Sequence, residues 1–371
     1  MEGKKILYIR SGPYQLNFSN YNLQEVGLGK AFCRRGYDFD ILYYSRENRD
    51  QVVEAEGGCL RILWRKGLKL LRTGLYPGIL NREFLAQYDA VITSEYSQLM
   101  SVLVSDRHPN TYLYNGPYYN LFKLPFLEPV YDRLYCRKLN RQMKKVFCKT
   151  NMAAEYIAKK GITNTAVVGV GLDADKFEAE TQIKAPTQEL LDQMAGHRNI
   201  LYVGAISERK NVALLLEAFA RLKQAPENAD VQLVLVGKGS DPYVQKCKAL
   251  PQEGVVWCSF IENAQLKFIY QAADIFALAS LEEIFGMVLL EAMYFGAATV
   301  AGPTAGAQTL IDHGNTGLLA EDFSVDTWTA LLGSLLQDPQ KAAQLGENAK
   351  QSIRENFMWD GIAEKMLRHM D

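Results

Sequence analysis

Between Asn199 and Ala301 the sequence alternates short apolar runs with longer amphipathic ones. The spacing predicts strands at Asn199–Gly204, Val231–Gly237, Val255–Phe260, Ile275–Leu278 and Ala298–Ala301. Helices are predicted between them at Val212–Leu222, Tyr243–Leu250, Gln265–Ala272 and Met287–Phe295, with a later one at Val325–Leu336. Strands that alternate with helices pair in parallel and need helices over both sheet faces. The first half repeats the pattern with strands at Lys5–Arg10, Tyr37–Tyr44, Ala90–Thr93, Thr111–Tyr114, Lys145–Lys149 and Ala166–Gly169. Its first strand runs into a loop holding Gly12 and Pro13. Helices are expected at Leu23–Arg35, stopped by Gly36, and at Ala153–Lys160, stopped by Gly161. The polar stretch from Ala174 to Arg198, with Pro186, breaks the alternation. The expectation is an α/β chain of two doubly wound domains with a central cleft: 1–182, then 183–356, with a final helix over 357–371 packing back on the first. Ligands of such sheets bind beyond the carboxyl ends of the strands.

Length and composition agree. A chain of 371 residues exceeds one ordinary core, and 48% hydrophobic with 22% charged residues is a globular composition. No apolar run reaches the roughly 18 residues of a membrane span. Met1 to Lys5 lead straight into an apolar strand with no secretory h-region, so a cytoplasmic location is expected. The six cysteines form no C-x-x-C pair, and the four histidines show no zinc spacing. Charge is divided: residues 1–180 carry 26 Lys and Arg against 19 Asp and Glu, while 181–371 carry 15 against 23. A basic half suits an anionic surface, whereas a net charge of −1 argues against general nucleic-acid binding.

The chemistry concentrates in Ser280-Leu-Glu-Glu283-Ile-Phe285-Gly286-Met287-Val-Leu-Leu-Glu291. Eight residues at helical rise separate the two acids by roughly 12 Å. Carboxylates sharing one glycosidic bond in hydrolases sit about 5–9.5 Å apart, so this pair suits two ends of an elongated ligand. The helix start between them offers backbone N–H groups to an anion. Carboxylates for hydroxyls and amides for phosphate describe a nucleotide-sugar site. The bland alternative is a solvated loop acid and an exposed helix acid.

With its surroundings, this E-x7-E element resembles that of the family-four retaining glycosyltransferases (glycosyl transferase group 1) of GT-B fold. The resemblance is strongest from Asn199 to Leu319. It implies that Glu283 lies at the donor sugar, that Glu291 holds the nucleotide ribose, and that Phe285, Gly286 and Met287 flank the diphosphate. After Gly204 the family reads G-R-x-x-x-x-K; here Lys210 keeps its place, Ala205 replaces the Arg, and Arg209 is the substitute cation. Cations at a leaving diphosphate lower the barrier. Gly237-Lys-Gly239 resembles the family's G-x-G loop, with a plain tight turn as the alternative. Ser259-Phe260-Ile261 stands where the family's backbone meets the nucleobase.

Other stretches are more equivocal. Gly302 to Thr309 resembles the G-G-x-P-E loop but has Thr309 for the Glu. Gly12 lies where the family's glycine loop nears the donor, or is a strand-end turn. Asn115 stands where the family often has His; Asn115 and Tyr118 are acceptor-side candidates, with core aromatics as the alternative for Tyr118. Asp173-Ala-Asp175 is formally a D-x-D, but its interdomain position speaks against a metal site, and none is expected.

Two basic stretches stand apart. Over 60–75, Leu60, Trp64, Leu68, Leu71 and Leu75 share one face of a projected helix, with five cations opposite and no acid. The stretch 133–149 carries seven cations. A basic amphipathic helix suits an anionic membrane surface, or is an ordinary solvated helix weakened by Gly67 and Gly74.

The expected activity is metal-independent, retaining hexosyl transfer from a nucleotide-diphosphate sugar to a saccharide or lipid-linked acceptor, without a resident cofactor. Cell-envelope polysaccharide or glycolipid synthesis at the inner membrane face is the expected setting. The alternatives are a non-catalytic GT-B partner subunit, or an epimerase or phosphorylase on the same fold.

Overall fold

Valine, isoleucine and leucine runs buried on both faces form parallel strands. The structure, a computed structural model, describes residues 4–12, 23–70, 72–122, 124–178 and 182–370; Pro13 and Leu71 lie outside them. The chain divides into two compact units, Met1–Gly171 with Phe357–Asp371, and Leu172–Asn356.

The first unit holds β1 (Lys5–Ile9), β2 (Asp38–Ser45), β3 (Arg49–Val53), β4 (Leu60–Lys66), β5 (Leu68–Leu70), β6 (Thr73–Leu75), β7 (Ala90–Ser94), β8 (Thr111–Asn115), β9 (Lys145–Cys148) and β10 (Thr165–Val167). Its main sheet runs β10-β9-β8-β7-β1-β2-β4-β3, parallel except for the antiparallel edge strand β3. The winding direction reverses between β1 and β7. The helix Gln24–Arg34 stops at Gly36, whose φ of 83° is left-handed and whose N–H donates to Cys33 O at 2.8 Å.

The second unit holds β11 (Arg198–Val203), β12 (Val231–Val236), β13 (Val255–Cys258), β14 (Ile275–Leu278), β15 (Ala298–Ala301) and β16 (Leu318–Leu319). Its parallel order is β13-β12-β11-β14-β15-β16, with the reversal between β11 and β14. In each unit the reversal opens the strand ends to a ligand.

The helix projected over 60–75 is not there. Leu60, Ile62, Leu63 and Trp64 are buried in β4, with Ile62 opposite Ile41 and Trp64 opposite Tyr43. Arg61 pairs with Asp40 at 2.6 Å and Arg65 with Asp50, so two of the projected cations are neutralised within the sheet. Gly67 and Gly74 shape the hairpin β5–β6 around the buried Tyr76 ring; a Cβ on either would come within 2.8 Å of it. The leucine spacing fits a helix only when the strand preference of Ile62 and Trp64 is ignored.

A helix over Pro339–Asn356, unforeseen in the sequence, packs on the helix Met287–Tyr294 and on β15. Gly346 permits the approach, since a Cβ there would stand 2.0 Å from Gly296 O. The helix Trp359–Leu367 packs on Gln24–Arg34. Trp359 fills a slot lined by Gly27 and Gly171, where added Cβ atoms would come within 2.2 and 2.4 Å of its ring. Arg34 and Arg35 bind Asp360 at 2.9 and 3.0 Å. Among the described residues no helix is long and apolar enough to cross a membrane.

Candidate functional site

At the reversal of the second unit, two loops leave neighbouring strands and lock together. One follows β11 through Gly204 to a short 3-10 turn at Glu208–Lys210; the other follows β14 through Ser280 to Gly286. Leu281 N donates to Arg209 O at 2.9 Å. Lys210 is buried, and its Nζ pairs with Glu283 Oε1. Ser280, fully buried, donates from Oγ to the same carboxylate at 3.2 Å. The half-exposed guanidinium of Arg209 donates to Glu282 O at 2.6 Å and lies 3.4 Å from Glu283 Oε1. Lys210 is therefore no solvated surface lysine. The positive φ of Asn211, 52°, turns the chain from Lys210 into the helix Val212–Leu222.

Glycines let a third loop close against this one. Gly237, after β12, has φ of 155°, and a Cβ there would stand 1.8 Å from Gly204 O. A Cβ on Gly239 would stand 2.1 Å from Ile206 O, and Ile206 N donates to Lys238 O at 2.7 Å. The G-x-G spacing here serves close backbone approach, beyond what a plain turn needs. Tyr202 OH donates to Ala205 O at 2.7 Å, steadying the loop that has lost the family's arginine. Beside it, Phe260 is exposed after β13, with Lys238 Nζ 5.1 Å from its ring centre.

The helix Met287–Tyr294 begins at Gly286, left-handed with φ of 81°. Leu289 and Leu290 N–H already bond Gly286 O, so helix geometry leaves Met287 and Val288 N–H without intrahelical acceptors. Phe285 is buried, and a Cβ on Gly306 would stand 1.9 Å from Phe285 O. Glu283 O accepts from Gly306 N at 3.4 Å. The loop after β15 thus braces the first acid. Thr309, in place of the family's acid, returns its hydroxyl to Ala305 O at 2.8 Å. The second acid differs from the first: Glu291 is wholly buried and accepts from Tyr270 OH at 3.0 Å, so it is not an exposed helix acid.

The reversal of the first unit gathers another polar group. After β1 come Arg10, Ser11 and the half-buried Gly12; β7 ends on Ser94, and Glu95 follows it. Ser11 N donates to Ser94 Oγ at 3.1 Å, while the buried Ser11 Oγ has no partner among the described residues. Glu95 has φ of 61°, a strained setting for a non-glycine residue, and its Oε2 accepts from Gln98 at 3.1 Å. Arg10 faces Glu25 at 3.6 Å. Burial works against the Arg10 charge, but Glu25 and its neighbours outweigh it and raise the pKa. Lys149 donates to Gln24 Oε1 at 2.8 Å and lies 5.0 Å over the Tyr114 ring; burial pulls its pKa down.

Sequence reasoning missed Arg10 and Glu95, and it counted Lys149 among the cations of the 133–149 basic stretch, whereas Lys149 is turned into this group against Gln24 and Tyr114. The only signal of all three is a charge directly after an apolar strand run. Asn115 is buried, its Oδ1 accepting from Tyr96 N and its Nδ2 donating to Pro117 O, both at 3.2 Å. Tyr118, half-buried, meets Tyr119 edge-on at 5.0 Å. Asp173 is buried and Asp175 exposed at the start of a short helix. Among the described residues no three His, Cys, Asp or Glu side chains cluster as metal ligands.

Comparison with known proteins points the same way. Residues 193–352 match the family model described as glycosyl transferases group 1. A D-inositol 3-phosphate glycosyltransferase of Corynebacterium aurimucosum is 29% identical over 211 residues, 55% of this chain and 50% of that protein. The chain thus spans about half the length of such curated relatives. The Corynebacterium diphtheriae protein of the same description aligns over 93% of this chain and 88% of its own length at 26% identity. Among solved structures, HepE of Anabaena in complex with UDP superposes with a TM-score of 0.72 over 98% of both chains at 18% identity, a likeness of fold.

Proposed function

Residues 193–352 belong to the group 1 glycosyl transferases and the fold is GT-B, and from that premise we propose that the chain moves a hexosyl unit from a nucleoside-diphosphate sugar to an acceptor hydroxyl with retention of configuration. The observation that carries this reading is the buried Lys210–Glu283 pair where the loops after β11 and β14 meet. A charge pair held this way is oriented before the donor arrives. Lys210, with Arg209, takes the diphosphate, and the amides of Met287 and Val288 share it. Glu283 passes from the ammonium to the sugar hydroxyls. Negative charge that builds on the departing phosphate then meets a cation and a helix N-terminus already in position.

Glu291 is assigned to the ribose by the motif; its burial requires the ribose to reach a carboxylate already bonded to Tyr270. Phe260 offers an exposed ring for the base to stack on. The acceptor hydroxyl is assigned to the strand ends of the first unit, at Ser94 and Glu95. A departing phosphate oxygen takes its proton, so no side-chain base and no metal is required. Cell-envelope polysaccharide or glycolipid synthesis at a cytoplasmic membrane face is the setting we assign. Ala205, where the family has Arg, favours the second reading, a partner subunit that binds the donor without turnover.

Donor turnover separates the two. The full chain incubated with UDP-glucose, GDP-mannose or ADP-glucose is expected to release the nucleoside diphosphate from one of them, water taking the glycosyl unit in place of the acceptor and giving the free sugar. Glu283→Gln should lower the rate at least 100-fold while the far-UV spectrum stays unchanged. Binding of a donor without release by the wild type would establish the partner-subunit reading instead.

A further inference from the structure

Large apolar side chains are strongly exposed at six positions on two adjoining segments of the first unit. Leu68 and Leu70 lie on the hairpin β5–β6; Leu124, Phe126, Val130 and Leu134 lie on or just before a helix. Phe126 is 69% exposed, Leu68 64% and Leu134 60%. That helix runs from Leu127–Tyr131 through one π turn, Asp132–Cys136, into Arg137–Gln142. Leu70 meets Val130 and Leu134 in the lining of an apolar groove of about 280 Å³.

The helix sorts its side chains by chemistry. Cys136 and Leu139 are buried in the core. Its two acids turn inward: Glu128 meets Lys160 at 3.0 Å and Tyr96 OH at 3.2 Å, and Asp132 meets Lys160 at 2.5 Å. Outward, the exposed residues recur at helical spacing: Phe126, Pro129 and Val130, Arg133 and Leu134, Arg137, Arg141, then Lys144 just past the helix. No acid stands on this stripe. Among the described residues Arg133, Arg137, Arg141 and Lys144 form no ion pair, and Lys66 and Lys69 bring two more exposed cations at the hairpin. Arg133, Arg137 and Lys159 also border an open pocket that Glu128, Asp132 and Lys160 help to line.

Chance exposure of apolar groups scatters them singly. Here they form one rim, and the exposed charges on the helix stripe itself are all positive. We infer that this rim, the outward helix stripe with strand β5, seats the protein on an anionic lipid bilayer. Phe126, Val130, Leu134, Leu68 and Leu70 enter the headgroup–acyl boundary, where burial of apolar area is favourable. The arginines meet lipid phosphates, with which guanidinium forms paired hydrogen bonds. The bilayer is chosen over a protein partner because the four stripe cations form no ion pair among the described residues and alternate with exposed apolar groups, as a sheet of anionic headgroups over acyl chains demands. This seat is independent of the donor chemistry proposed above.

The test is flotation of the full chain with phosphatidylcholine vesicles, with and without 30% phosphatidylglycerol. Binding is expected only with the anionic lipid, weakening as salt rises. Arg133→Gln with Arg137→Gln should weaken partitioning about 30-fold, roughly fivefold for each charge. The triple change Phe126→Ser, Val130→Ser, Leu134→Ser should abolish it at unchanged net charge. Each variant should keep the wild-type circular dichroism and the wild-type release of nucleoside diphosphate from a soluble donor. Wild-type chain that stays with the unbound fraction, or binding that neither variant alters, overturns the inference. So does a concentration-dependent dimer that the triple variant dissolves, because a second copy would then be the occupant.

Discussion

At the scale of single residues, the donor-side loops depend on places where a side chain would not fit. Gly237 is the tightest: left-handed backbone and a carbonyl 1.8 Å from where Cβ would be. Gly237→Ala is expected to destabilise the second unit by about 2–4 kcal/mol, through strain and a displaced Gly204 loop. Urea unfolding measures the loss, and a thermal shift with the donor should shrink as Lys210 moves off its position. Glu283 and Lys210 could be singled out separately, one by the E-x7-E spacing and the other by its resemblance to the lysine of G-R-x-x-x-x-K, but nothing in the sequence says that the two side chains meet. Glu95 and Lys149 were not legible, since a charge after a strand reads as an ordinary loop residue. The meaning of Glu95 comes from β1 and β7 becoming neighbours, which pairs residues more than 80 positions apart, and that of Lys149 from its bond to Gln24, 125 positions away.

At the scale of elements, periodicity succeeded where one element had one environment. The buried runs of β11, β12 and β14 are apolar throughout, and they were found within about a residue of their ends. It failed over 60–75, where a core strand and a surface hairpin follow each other and their leucines fall by coincidence on a helical spacing. The helix over 127–142 is set by its inward acids, and this makes a pH prediction. Burial opposes ionisation of Glu128, but hydrogen bonds from Tyr156 and Lys160 outweigh it and hold the carboxyl below its ordinary value. A carboxyl lowered by folding stabilises above its unfolded pKa, near 4.3, and that contribution fades as pH falls through the folded value. Glu128→Gln should therefore cost about 1–2 kcal/mol at pH 7 and progressively less as pH falls below the unfolded value. Denaturant titrations of both proteins across that range would show the two curves converging at the acid end. Parallel curves would remove Glu128 as the cause.

At the scale of the whole molecule, the first unit is assembled from both ends of the chain. Trp359 sits where Gly27 and Gly171 leave room, and Asp360 takes two arginines from the helix Gln24–Arg34. Trp359→Ala should destabilise this unit by about 3–5 kcal/mol, in the range of large aromatic truncations. Calorimetry should show one transition moving down while that of the second unit stays in place; an equal shift of both would mean that the units unfold together. The two series of alternating elements could be read from the sequence because each is local. The Gly27–Trp359–Gly171 fit could not, because nothing in a glycine's neighbourhood names the ring that will fill it.

That closure sets an order of events on the ribosome. The 185 residues of the second unit must be made after Gly171 and before Phe357. At bacterial or eukaryotic elongation speeds of about 5–20 residues per second, the wait is roughly 10–40 s. Throughout that interval the nascent first unit lacks its tryptophan plug and shows an open apolar slot to chaperones and proteases. A premature stop between residues 171 and 357 would thus disable the part of the protein made first.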